Sequence, residues 1–469
     1  MPDKRKTVSY PPGQGSSLST GAPTSLLPAG TAPEGGAGGP GTTPKEKTWG
    51  IYVYYAADVL SVEMQKAAWS SLQSVASVGS NKNVGITAMI DLPMRDTAYY
   101  VLPQQPAGEA KQPVYPDRFL PNVNSASIQT LADFLQWSND NCPAENVALV
   151  FWGHGYAIDD FDPTIQPKNP NGTNVSGKGR LGQRAIPGIS GARGHELSLL
   201  FDSTHDAVLN NRDFGNLLRT YTAGLRPEKG IQVLGLDCCN MAMAEVLSEL
   251  QDYADCVVAA ESLLPFRSWL SEKALGDFLQ TGNLTPQDFS SAAVDMFINS
   301  YDSATDPFIE LSAFDLNQFK PLEDAMKNLT EVLIDAIDLP ENRDAIDRAY
   351  LSDVSFLVDG FIDLGTFCEF LIEFVKVEAV CAQADKVRKA LTKVVINYGF
   401  APDDKEKKIR LATGMTIWFP PWIRFPGVTY PQIDLSKNYL LTGYPQTHFA
   451  QVTNWDRFLL KLYALTQRQ

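Results

Sequence analysis

Two places in the chain bring a chemically active side chain to the end of an apolar run. Val147-Ala-Leu-Val-Phe-Trp-Gly-His-Gly155 delivers His154, and Ile231-Gln-Val-Leu-Gly-Leu-Asp-Cys-Cys239 delivers a pair of thiols. A thiolate is a strong nucleophile and an imidazole can move its proton. The pair therefore suits attack on a carbonyl, with His154 protonating the leaving amine and later helping to activate water. A helix is expected to begin near Met241, just after Cys239; unpaired N–H groups at a helix start lower a thiol's pKa from about 8.5 and stabilise an oxyanion. Gly155 has no side chain to keep the backbone from a substrate carbonyl. The N–H groups of Gly155 and Cys239 are thus the expected oxyanion hole. The competing reading is bland, since a cysteine after a buried strand is often a small core residue. Among four histidines only His154 ends an apolar strand; His195, His205 and His448 do not.

The elements that must position this pair follow from periodicity. Short β-rich runs occur at Ile51–Tyr55, Val84–Ile90, Val147–Trp152, Ile231–Leu236 and Cys256–Ala260. Between them, Ile128, Leu131 and Leu135, or Met243, Val246, Leu247 and Leu250, fall at helical spacing. Strands apolar throughout, separated by amphipathic helices, predict an α/β fold with a mainly parallel sheet covered on both faces. In such sheets chemistry collects at the C-terminal strand ends, so His154 and Cys239 are expected to face each other across one edge. Residues 94–124 predict a hairpin or long loop. The stretch 157–195 is rich in Gly, Pro and Asn, and it carries Lys168, Lys178, Arg180, Arg184 and Arg193 without one acid after Pro163. A loop of that length within a compact domain is usually functional or mobile. Beyond about residue 300 helices are predicted near 317–338, 340–354, 361–375 and 379–398, and Leu411–Phe419 is expected to return one strand to the sheet. Residues 1–47 hold 9 Gly and 8 Pro and are expected to be disordered. The reading is therefore a tail (1–47), an α/β domain (48–300) with its long basic loop, and a helix-rich C-terminal region (301–469).

Composition removes several function classes. A net charge of −15 over 469 residues argues against a nucleic-acid binder and favours a cationic substrate. Six cysteines without a CxxC pair make neither a disulfide framework nor a structural zinc site; a reduced chain with mostly buried thiols is expected. A zinc enzyme would need clustered histidines, and a serine hydrolase the Gly-x-Ser-x-Gly elbow that is missing here. No apolar run spans a bilayer, so no membrane partner is expected. The opening Met-Pro-Asp-Lys-Arg-Lys lacks the apolar core of a signal peptide; a cytoplasmic location is the expectation, with secretion open if the start site is wrong.

The ordered set of motifs resembles the clostripain (C11) family of cysteine peptidases, in the caspase–gingipain clan. The family's Asp-Ala-Cys-Leu-Met reads here as Asp237-Cys238-Cys239-Asn240-Met241, a register that makes Cys239 the nucleophile and leaves Cys238 as the alternative. Glu261, Pro265 and Trp269 after the next strand, Asp363-Leu364, the Gly414–Pro420 strand and Asn454-Trp455 also match, in order, across roughly 48–460. The resemblance implies a caspase-like α/β/α sandwich and a cysteine endopeptidase working through a His154–Cys239 dyad and a thioester. It implies that Asp237 shapes the S1 pocket and selects Arg or Lys, a carboxylate being able to pair with a guanidinium in bidentate fashion; helix capping by Asp237 stays open. It implies self-processing in the 157–195 loop, with Lys168, Lys178, Arg180, Arg184 and Arg193 as candidates and a solvated insertion as the alternative. Calcium is implied as an activator, with Asp159, Asp160 and Asp162 as candidate ligands; the chemistry itself needs no cofactor. The expected partners are proteins or peptides with a basic P1 residue, and the oligomeric state is left open. Ala-Ala-Glu261-Ser-Leu-Leu-Pro lacks the family's glycine-containing acidic version, so the substrate rim is expected to differ. A non-catalytic scaffold that kept the fold is the rival reading.

Overall fold

Successive side chains of β1 (Lys47–Ala56) enter two different cores. Tyr52, Tyr54 and Ala56 pack on one side of the sheet, and Trp49, Ile51, Val53 and Tyr55 on the other. A strand's side chains alternate between faces, so a strand apolar at every position must be covered twice. The computed structural model describes residues 46–466 apart from 107–109, 156–197, 227–228, 272–274, 277, 279–283, 305, 307, 355–359, 403–410 and 421–442.

The further strands are β2 (Val84–Asp91), β3 (Thr97–Leu102), β4 (Arg118–Leu120), β5 (Ala144–Trp152), β6 (Ser198–Asp202), β7 (Ala207–Asn210), β8 (Ile231–Asp237), β9 (Ala254–Ala259), β10 (Ile309–Asp315), β11 (Phe361–Asp363), β12 (Val395–Ala401) and β13 (Thr416–Trp418). Nine of them form the central sheet in the order β12–β10–β9–β8–β5–β1–β2–β3–β4. The five central strands are parallel, and antiparallel pairings extend the sheet at both sides. One core gathers the helices Ile128–Asn141, Asn211–Leu225, Ala244–Leu250 and Phe319–Ala336. The other gathers Val62–Val78 and Pro286–Asn299. The result is a caspase-like α/β/α sandwich. Among the described residues no helix is long and apolar enough to cross a membrane. Of the six cysteines all but Cys381 are buried.

Two C-terminal details differ from expectation. Leu411–Phe419 does not rejoin the central sheet: its strand, β13, pairs with β11 in a separate ribbon. The strands that do return are β10 and β12. The β12 residues Val395-Ile-Asn-Tyr-Gly-Phe-Ala401 overlap the tail of an expected helix. Their β-branched and aromatic content suits a strand better, and the helix stops at Val394.

Candidate active site

The parallel ladder between β5 and β8 sets the site. Trp152 is the register partner of Asp237, the last residue of each strand, and Gly153 N–H continues the ladder to Asp237 O at 3.4 Å. Two residues beyond these partners lie His154 and Cys239, which therefore leave neighbouring strands at the same level. Cys239 joins the core that holds Trp152, Leu264 and Trp269, whereas Cys238 belongs to the opposite core. The Cys238 thiol points back to Phe151 O at 3.7 Å, while the Cys239 Sγ accepts the Leu264 N–H at 3.3 Å. An N–H aimed at sulfur stabilises negative charge there.

Gly155 packs directly on the Cys238–Cys239 turn. A Cβ at this position would lie 2.9 Å from Cys239 N and from Cys238 Cβ, and closer still to Cys239 O. Only glycine fits, and the absence of a side chain brings the 155 and 239 backbones together as an oxyanion pair requires.

The helix expected near Met241 starts only at Ala244. Asn240 turns the chain at φ 58°, and the next residues stay extended because they are clamped on both sides. Asn240 N bonds Ser262 O (2.9 Å), Ala242 N bonds Ala260 O (2.8 Å), and Thr416 N bonds Ala242 O (2.9 Å). A donor that does reach the sulfur is Leu264 N–H, a long-range contact invisible to local spacing.

Asp237 is fully buried and accepts the Ser268 hydroxyl at Oδ2 (2.5 Å). Gly235, on the same side of β8, is pressed by Trp269, whose ring atoms would lie 2.6 and 2.9 Å from a Cβ there. Cys239 is 1% exposed and His154 6%, so the pair is covered in this conformation.

The sequence profile described as "Clostripain family" matches residues 198–461, more than half of the chain. The chain belongs to the clostripain family. The matched stretch contains Asp237 and Cys239, while His154 lies before it. Among solved structures, the chain is similar to an inactive zymogen C11 protease from Parabacteroides distasonis: 13% identity, 88% of this chain and 99% of that chain, TM-score 0.57. It is also similar to "iotapain", a secreted C11 cysteine protease from Bacteroides thetaiotaomicron: 13% identity, 87% and 100% coverage, TM-score 0.59. A secreted C11 cysteine protease from Bacteroides thetaiotaomicron in complex with an irreversible peptide inhibitor gives 14% identity, 87% and 99% coverage and TM-score 0.56. No curated protein matches.

In this clostripain-family chain the remaining motif residues build the frame. Glu261 is fully buried beside the clamp on Asn240 and Ala242. Burial, with the nearby Asp363 and Glu310 carboxyls adding to it, pushes its pKa well up. Glu310 is likewise raised by burial, to about 7, and its carboxylate accepts Ser262 N (2.7 Å) and Ser262 Oγ (3.0 Å). Asp363 caps the helix Leu364–Phe374 through Thr366 N (2.7 Å) and also accepts Thr413 N (2.6 Å). Trp455 donates its indole N–H to Trp418 O (2.8 Å), which ties the C-terminal helix to β13.

Lys168, Lys178, Arg180, Arg184 and Arg193, and the acidic group Asp159, Asp160 and Asp162, lie outside the described residues. Sequence reasoning missed a third group at the same sheet edge: Asp58, Asp91 and Asp202, all buried and mutually close. The signal was available. Asp58 and Asp91 sit at the ends of apolar strands, the criterion that singled out His154 and Cys239.

Proposed function

We propose that the protein is a cysteine endopeptidase that cleaves after Arg or Lys through Cys239 and His154. The observation that carries this reading is the shared level of the two residues on adjacent parallel strands, with Gly155 seated against the Cys239 backbone. The Cys239 thiolate adds to the scissile carbonyl carbon. The resulting oxyanion is held by the N–H groups of Gly155 and Cys239. The His154 imidazolium gives its proton to the leaving amine as the C–N bond breaks, which leaves a thioester. Water, deprotonated by His154, then attacks the thioester and releases the acid and the thiolate.

Asp237 supplies basic P1 selectivity. It lies two residues before the nucleophile on the same side of the sheet as Trp269, and a buried carboxylate gains from a cationic partner. The covered dyad supports a chain that needs a rearrangement before it accepts substrate. Cleavage of its own 157–195 stretch, at Lys168, Lys178, Arg180, Arg184 or Arg193, is the step that fits this specificity.

The test is turnover of fluorogenic peptides with P1 Arg, Lys, Asp or Leu, together with gel analysis of the chain. Wild type should process Arg or Lys peptides and appear as two fragments. Cys239→Ala should stay intact and inactive. Asp237→Asn should lower kcat/KM for basic P1 by about 10²-fold while folding is retained, the scale of a lost charge-assisted contact at a buried site. A folded wild type that cleaves no peptide, even after trypsin nicks the 157–195 stretch, would instead make this a non-catalytic scaffold.

A further inference from the structure

The strands beside His154 end in acid. β1 runs on through Ala57 to Asp58, β2 ends in Asp91, and β6, where the chain returns after residues 156–197, ends in Asp202. All three side chains are fully buried, and one carboxylate oxygen from each lies within 4.8 Å of the others. The first oxygens of two of them are already committed. Asp58 Oδ1 accepts Ser203 Oγ (2.5 Å) and Thr204 N (3.1 Å), and Asp91 Oδ1 accepts Thr97 Oγ1 (2.7 Å). Asp202 accepts Ser125 N (2.8 Å) and Ser125 Oγ (3.3 Å) on Oδ2; its Oδ1 accepts His205 N (2.9 Å) and contacts His205 Nδ1 (2.9 Å).

What remains is Asp58 Oδ2 and Asp91 Oδ2, both buried and, among the described residues, without a hydrogen-bond partner. No lysine or arginine among the described residues pairs with the group; the one basic neighbour, His205, is one-third exposed and engages Asp202. Bringing three carboxylates together away from water is costly unless a cation compensates them.

We propose that Asp58, Asp91 and Asp202 bind a divalent cation, Ca²⁺. The donors are all oxygen, which suits a hard ion. Mg²⁺ demands near-octahedral geometry and dehydrates reluctantly, whereas Ca²⁺ accepts irregular carboxylate shells, so the buried site favours calcium. Two ligands precede residues 156–197 and the third follows them. The ion therefore ties the two parts of the chain together next to the dyad, where Ser203 N already bonds Asp58 O (2.9 Å) and Gly153 packs on Leu200. The site is distinct from Asp159, Asp160 and Asp162. Its occupancy does not depend on the peptidase reading, because binding is measured without the nucleophile.

The experiment is calorimetric titration of CaCl2 into full-length Cys239→Ala, with melting curves in EDTA and in calcium. One ion per chain is expected, with Mg²⁺ weaker. Asp91→Asn, on the same background, should weaken calcium binding at least tenfold. In EDTA this variant should melt no lower than its parent, since a buried charge is gone; in calcium only the parent should gain Tm. Should Asp91→Asn not fold, Tb³⁺ luminescence on the parent, excited through tyrosine and displaced by calcium, reads the site directly. The proposal is overturned if the parent binds neither Ca²⁺ nor Tb³⁺. It is equally overturned if binding survives Asp91→Asn and disappears in the Asp159→Asn/Asp160→Asn/Asp162→Asn variant.

Discussion

Two groups of residues occupy one edge of the same sheet and are built in opposite chemical senses. Around Cys239 a backbone donor reaches the sulfur, Leu264 N–H, and the backbones of Gly155 and Cys239 are pressed together. Around Asp58, Asp91 and Asp202 the surplus is acceptors, with two buried carboxylate oxygens beyond the donors available. The first suits a developing anion and the second a cation. The lesson is that a strand end is only a place; the sign of the site depends on which backbone and side-chain groups surround it.

The sharpest way to break this contrast is at sulfur. Cys239→Ala should lower turnover by about 10³-fold or more, whereas Cys238→Ala, on the other side of the sheet, should change it less than about threefold; peptide kinetics on both variants decide. If Cys238 proves essential, the donor-rich side has been misassigned.

Gly155→Ala comes next. Its Cβ would collide with the Cys239 backbone, so kcat should fall by about 10²-fold, the scale of one lost oxyanion donor. Stability should also drop, by about 1–3 kcal/mol for an overpacked site. Unchanged kinetics would remove Gly155 from the oxyanion hole.

The smallest effect concerns the acids near each site. Glu310 is raised by burial from 4.5 to about 7, so it holds its proton in the folded chain at mildly acidic pH. A carboxyl with a raised folded pKa contributes stability that is complete below its unfolded value and is lost as pH rises through the folded one. Stability should therefore fall between pH 4.5 and about 7. Denaturant melts of Glu310→Gln should show a flatter profile in that window. A profile as steep as wild type would mean that Glu310 stays ionised, leaving both groups of acids in need of a cation.

Much of this was legible from residues alone. The central parallel strands, the His154 and Cys239 strand ends and the order of the family motifs follow from apolar runs bounded by chemistry-bearing residues. What stayed hidden depends on contacts between distant segments. Leu264 N–H reaches Cys239 Sγ from 25 residues away, and the clamp on Ala242 comes from Thr416, which is why the helix start was placed too early. Asp58 and Asp91 went unnoticed because each is ordinary alone, and only Asp202, returning from far along the chain, makes them a group.

The order of the sheet has a practical consequence. Every central strand before residue 156 lies on one side of the β5–β8 pairing, and every central strand after residue 197 lies on the other. The central sheet is thus two half-sheets meeting along a single seam; His154 and Cys239 flank that seam, while Asp58, Asp91 and Asp202 lie to one side of it and draw on both halves of the chain. Expressed as separate polypeptides divided within 156–197, the halves should find each other through that buried ladder, and a split reporter built on this protein would register their reunion as restored chemistry.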